Sequence, residues 1–194
     1  MKAIFLDIET TGLDPTQHSV IDLAFKVIDL ESGEIFVAYQ SLVSQPKEIW
    51  KHADPASIEI NGYQWEELQS GKKTEQIAQE VIALFSSLKI SRGKSVFICQ
   101  NPAFDRAFFT QIIPVYTQEK LNWPYHWLDL ASMYWARLTL KMMKEKISIP
   151  DAMNLSKNSI AKEFDLPPEA KPHKAINGIE HLILCYRAVI GTNW

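Results

Sequence analysis

Phe5-Leu6-Asp7-Ile8-Glu9-Thr10-Thr11-Gly12-Leu13 places two acids at i and i+2 at the end of an apolar run near the N-terminus. Side chains alternate faces along a strand, so Asp7 and Glu9 point the same way. Two neighbouring carboxylates on one face repel each other and resist desolvation. Such a pair persists by sharing a cation or by one member staying protonated. A hard metal ion resolves the conflict, and a solvated strand end is the plainer alternative. The Thr10-Thr11-Gly12 segment adds backbone amides and a flexible turn where a phosphate or sugar can approach.

Working outward, the pattern alternates strands and helices. Residues 2–8 read as a buried strand, and 20–29 and 35–43 as two more joined by the polar turn Glu31-Ser32-Gly33-Glu34. Asp54 followed by Pro55 marks a short helix that stops at Asn61-Gly62. A helix over 74–88, a strand over 95–99 and helices over 104–113 and 130–143 follow, with a short strand at 126–128 and a last helix to about 190. The chain has 194 residues, 46% of them hydrophobic and 22% charged, which suits one globular domain over 1–194. A net charge of -3 argues against a dedicated duplex binder but leaves room for an enzyme that holds a few nucleotides. The clusters Lys72-Lys73, Arg92/Lys94, Lys141 to Lys146 and Lys171/Lys174 read as solvated faces. Cys99 and Cys185 lack metal-ligand spacing and read as buried free thiols. An acidic motif by residue 7 leaves no space for a signal peptide or membrane span, so a cytoplasmic setting is expected.

Three motifs carry a resemblance. Asp7-Ile8-Glu9-Thr10-Thr11-Gly12-Leu13 resembles the first motif of the DnaQ-like 3′-5′ exonucleases, the DEDD group. Gln100-Asn101-Pro102-Ala103-Phe104-Asp105, at a strand-to-helix junction, is similar to the second, Asn-x-x-Phe-Asp. Taken alone, Asp105 is explained by the dipole of the helix it opens, an effect of about 0.3–1 kcal/mol. The third lies in Lys171-Pro172-His173-Lys174-Ala175-Ile176-Asn177-Gly178-Ile179-Glu180-His181 and resembles the histidine variety, in which His precedes a final Asp by five positions. His173 fits, but Gly178 stands where the acid is expected. Ile60-Asn61-Gly62 is similar to the family's Ile-His-Gly turn, and Trp127-Leu128-Asp129 to its hydrophobic-Asp strand end.

The resemblance implies a ribonuclease H-like α/β fold, with a mixed sheet and flanking helices. It implies a metal-dependent 3′-5′ exonuclease acting at the 3′ end of single-stranded DNA or RNA, with a DNA polymerase as a candidate partner and no membrane. Asp7, Glu9 and Asp105 become catalytic acids and ligands of Mg²⁺ or Mn²⁺ in a two-metal site, and His173 the general base. The amides of Thr10, Thr11 and Gly12 would meet the terminal nucleotide, and Leu13 would pack against its base. Gly178 is expected to weaken the second metal, and an acid restored there to strengthen it. Asn177, Glu180 and a water are open as substitutes, although Glu180 lies about 200° around a continuous helix from residue 178. Alternatively the last helix starts later, with Asn177-Gly178-Ile179-Glu180 as a capping pattern. The rival readings are a catalytically impaired, nucleic-acid-binding homologue and a plain interaction domain.

Overall fold

The apolar N-terminal run forms β1 (Lys2–Thr10), the central strand of a five-stranded sheet in a computed structural model that describes residues 1–194. β2 (Val20–Asp29) and β3 (Ile35–Leu42) complete an antiparallel meander with it. Three short helices follow, α1 (Lys47–Lys51), α2 (Pro55–Asn61) and α3 (Trp65–Gln69), and then the longer α4 (Thr74–Ser87). β4 (Ser95–Cys99) returns parallel to β1 on its other side. α5 (Pro102–Ile112) and α6 (Val115–Lys120) lead to β5 (Trp127–Asp129), parallel to β4. α7 (Leu130–Glu145), α8 (Lys157–Glu163) and α9 (Ala175–Ile190) close the chain. The sheet order is β3-β2-β1-β4-β5, the mixed arrangement expected of a ribonuclease H-like domain.

Two element boundaries differ from the sequence reading in ways that matter. The first strand continues past residue 8, so both acids of the opening motif are fixed in the ladder, with Glu9 opposite Asp22 and a bulge before Thr10. The strand predicted at 126–128 is shifted by one residue and ends on Asp129. The helices α1, α3, α6 and α8 were not anticipated, because five to seven residues show too little periodicity to be read.

The pleat of β1 divides the interior. Ile4, Leu6 and Ile8 face Ile77, Val81 and Phe85 of α4 and Phe108 and Phe109 of α5. Ala3 and Phe5 face Leu182, Cys185 and Tyr186 of α9. Each buried Leu, Ile, Val or Phe among them contributes about 1.5–3 kcal/mol, which is what holds helices on both faces. Strict alternation then carries Asp7 and Glu9 onto the α9 face. Both cysteines are buried and unpaired. No helix is long and apolar enough to cross a membrane.

Asp22 of β2 ties the two ends of the chain together. Its buried carboxylate accepts from Tyr63 Oη at 2.7 Å, Gln40 Nε2 at 3.0 Å and the backbone N–H of Ala175 at 3.0 Å. The N-cap residue Lys174 offers no side-chain cap, so the start of α9 is capped across space by Asp22. Burial raises the Asp22 carboxyl above the usual range, and the three donors draw it part of the way back. Asp22→Ala would strand these donors and is expected to lower stability by about 3 kcal/mol in urea denaturation. A loss under about 1 kcal/mol would show that α9 is held without it.

Candidate active site

Sequence-distant segments meet at the C-terminal ends of the parallel pair β1 and β4, the end of such sheets where ligands usually bind. β1 delivers Asp7 and Glu9. At the end of β4 the chain reverses through Asn101, whose left-handed backbone (φ 56°) lets Pro102 open α5 and turns Asp105 inward, where it is buried. Asn101 N–H donates to Asp129, which also caps α7, so the ends of β4 and β5 are locked together. His173 approaches just before α9, its N–H donating to Ile60 O at 3.1 Å. Asp7, Glu9, Asp105 and His173 line one cleft of about 370 Å³.

The same cleft holds two residues that sequence reasoning missed, Lys157 and Glu169. Lys157 opens α8 after the N-cap Ser156 and reaches into the acids. Its Nζ lies 3.4 Å from Asp7 Oδ1, 3.2 Å from Glu169 and 3.4 Å from the carbonyl oxygen of Gly178. Glu169 sits in the loop before α9, its side chain 3% exposed and its N–H donating to Asn158. Its carboxylate stands 3.6 Å from His173 Nδ1 and 3.7 Å from His181 Nδ1. Neither residue has a local signal, since a lysine in a first helical turn and a glutamate after two prolines are ordinary surface features. Only the fold turns them inward.

Four carboxylates therefore face one ammonium, and three of them, Asp7, Glu9 and Asp105, are held above the usual carboxylate range. Burial raises Asp7 to about 6, with Lys157 pulling it down and Glu169 pushing it up. Burial and then Asp7 raise Glu9 to about 8. Burial and the Asp7 charge push Asp105 well above the carboxylate range. Desolvation would lower the Lys157 ammonium, but Asp7 and Glu169 overcome it and hold it above the ordinary lysine value. Burial lowers His181, which favours a neutral ring beside Glu169.

The all-oxygen donor set and its excess negative charge suit a hard divalent cation. As the side chains stand, however, no three of them converge as a ready metal nest, Asp7 being turned to Lys157 and α9.

Gly178 is where the sequence expectation needs correcting. α9 begins at Ala175, ahead of Asn177, so the late-start capping reading does not hold. Glu180 pairs with Lys26 on the outer surface and is no substitute ligand, and Asn177 does not line the cleft. The Asp7 carboxylate itself fills the space: a Cβ on residue 178 would stand 2.6 Å from Asp7 Cγ and closer still to Oδ2. An acid cannot be added beside Asp7 without displacing it.

The turn after β1 also differs from expectation. Thr11 N–H donates to Ser19 O, Gly12 N–H to Thr10 Oγ1, and the Thr10 hydroxyl to Gly12 O, so these groups are spent within the turn. Gly12 leaves room for the His18 ring, 2.5 Å from where a Cβ would stand. Thr10 and Thr11 are buried, and Leu13 alone is presented outward, 74% exposed.

A mixed sheet of this order, with acids gathered at the ends of its central parallel strands, defines the class as ribonuclease H-like. Residues 4–185 match the family model described as Exonuclease (RNase_T), and the chain belongs to this DnaQ-like exonuclease family. It is 27% identical over 139 residues to the PolC-type DNA polymerase III of Thermotoga petrophila, across 72% of this chain and 9% of the polymerase. Its fold matches E. coli exonuclease I in complex with a dT13 oligonucleotide, with a TM-score of 0.74 at 17% identity over 98% of this chain and 41% of that one. Cell-death related nuclease 4 (CRN-4) matches with a TM-score of 0.71 at 14% identity, over 99% of this chain and 64% of that chain. The chain thus spans less than a tenth of the polymerase, about two fifths of exonuclease I and a little under two thirds of CRN-4.

Two predictions follow from this geometry. Gly178→Asp is expected to lower the melting temperature and leave any metal-dependent turnover flat or reduced, and a gain of about tenfold would overturn the steric account. The second concerns pH. Glu9 and Asp7 hold protons in the folded state that the unfolded chain releases near pH 4, so metal-free stability falls as pH rises from about 4 to about 8. Calorimetry in chelator should show the melting temperature dropping by several degrees from pH 5 to pH 8.5. Added Mg²⁺ should restore more at pH 8.5 than at pH 5, and a pH-independent melting temperature would contradict the charge imbalance.

Proposed function

We propose that this chain hydrolyses phosphodiester bonds one nucleotide at a time from the 3′ end of single-stranded nucleic acid, releasing nucleoside monophosphates. The observation that carries this reading is the convergence of Asp7, Glu9, Asp105 and His173 in one cleft. Asp7, Glu9 and Asp105 would hold Mg²⁺ or Mn²⁺, which when bound lowers the pKa of water and offsets charge on the phosphate. His173 would accept the proton of the attacking water at Nε2, its Nδ1 being directed toward Glu169. Glu169 would keep the ring oriented from its Nδ1 side. Leu13 would offer an apolar face to the terminal base; the buried Thr10 and Thr11 and the enclosed Gly12 would only hold the turn that presents it. The oligonucleotide bound to exonuclease I supports a single-stranded substrate. The likeness to a PolC-type polymerase supports association with a DNA polymerase, testable by co-purification.

A second reading, an impaired homologue that binds nucleic acid without efficient cleavage, draws on Gly178 and on Lys157 paired with Asp7. Mn²⁺-dependent release of mononucleotides from a 3′-labelled single strand separates the two. Wild type is expected to release them, and Asp7→Asn to lose at least about a thousandfold in rate, about 4 kcal/mol, while keeping its fold. A circular single strand should remain intact. Oligonucleotide binding without release would favour the impaired homologue, and cutting of the circle would indicate an endonuclease.

A further inference from the structure

The buried lysine lies beside the place of the missing acid. Lys157 Nζ lies 3.4 Å from both Asp7 Oδ1 and the carbonyl oxygen of Gly178, so the ammonium is held between Asp7 and the residue of α9 where the family's third motif sets a carboxylate. Gly178 is also what makes the arrangement possible, because any side chain there would collide with Asp7 as it is now placed. The two features form one exchange. Losing one carboxylate and the divalent ion it helps to hold removes a single net positive charge, and one ammonium restores it.

The surroundings of Lys157 fit a shared cation better than a simple structural pair. Its three oxygen neighbours come from β1, the loop before α9 and α9 itself, all at 3.2–3.4 Å. A charge-assisted hydrogen bond between two partners is usually shorter, about 2.7–2.9 Å. The side chain is 13% exposed and lines the cleft. A buried ion pair contributes little to stability compared with apolar packing, and α8 already has that packing through Ile160 and Ala161. Glu169 serves the ammonium on one side and the His173 ring on the other.

We propose that the Lys157 ammonium is a built-in cation standing in for one of the two divalent ions of the family's site, so that Asp7, Glu9 and Asp105 hold a single Mg²⁺ or Mn²⁺. This rests on the metal-dependent reading above. A fixed ammonium placed where phosphate charge must be balanced costs no reorganisation during reaction. It also makes the site independent of recruiting a second ion. Lys157 is thereby a positioning and charge-balancing residue of the centre.

The test is the number of Mn²⁺ ions bound by the full chain without nucleic acid, measured by calorimetry and by electron paramagnetic resonance of free Mn²⁺. Wild type and Lys157→Arg are expected to bind one ion each. Lys157→Met and Lys157→Gln are expected to bind two, since Asp7 and Glu169 then face each other without a cation between them. Circular dichroism melts identify folded variants, and Lys157→Gln, which keeps a polar group in place, carries the comparison if Lys157→Met does not fold. A lysine of merely structural value would change the melting temperature without changing the ion count. Two ions on wild type, or one on a folded neutral variant, would overturn the proposal while leaving a metal-dependent nuclease standing. No Mn²⁺ binding by wild type would instead defeat the metal-dependent reading, and the inference with it.

Discussion

The carboxylate of Asp7 is carried by the central strand to the floor of the cleft, where it is largely buried, and much of the molecule answers to that charge. Burying an ionised carboxylate costs several kcal/mol unless something compensates it. Here the compensation is a lysine from α8, drawn to within 3.4 Å. That requirement brings α8 against α9, keeps residue 178 free of a side chain, and draws Glu169 inward to share the ammonium. The remaining imbalance, with Glu9 and Asp105 still short of a partner, is what a divalent cation would relieve.

A second buried carboxylate sets the geometry around the first. Asp22 lies opposite Glu9 across the β1–β2 ladder and holds both Tyr63 and the first N–H of α9. The depth of α9 over the sheet, and so the position of Gly178 over Asp7, depends on that cap. Ile60 fixes the backbone of His173 from the end of α2. The elements between the first and third motifs thus place the histidine as much as the motifs themselves do.

Such a site opposes stability, and the packing of the domain carries it. Above it, Phe97 stacks on Trp127 at 4.0 Å, and Phe85 meets Phe25, Phe97 and Trp123, forming an aromatic layer on the sheet face away from α9. Polar groups that conflict locally survive where the rest of the fold is consistent, and such conflicts tend to mark functional places. The conflict lies at the strand ends, while the middles of β1 and β4 are wholly apolar on both faces.

Much was legible in the chain because it depended on local rules. The alternation of β1 put Asp7 and Glu9 on one face, the meander followed from two apolar runs around Glu31 to Glu34, and the strand-to-helix junction at Gln100 to Asp105 put Asp105 in the first turn of a helix, although α5 opens at Pro102 rather than at 104. These are consequences of backbone geometry within a few residues. The turn at Thr10 to Gly12 was placed correctly, but its amides are engaged by Ser19 and by the Thr10 hydroxyl, partners that the motif alone does not show. The absence of an acid at Gly178 could be read directly, but its meaning could not. Lys157, 150 residues from Asp7 in the chain, answers it, and nothing near Lys157 distinguishes it from a solvated lysine. Charge compensation acts through space and depends on which side chains share a buried volume. The sequence by itself determined the strands and the acids they carry, whereas only the tertiary structure decided which cation those acids meet.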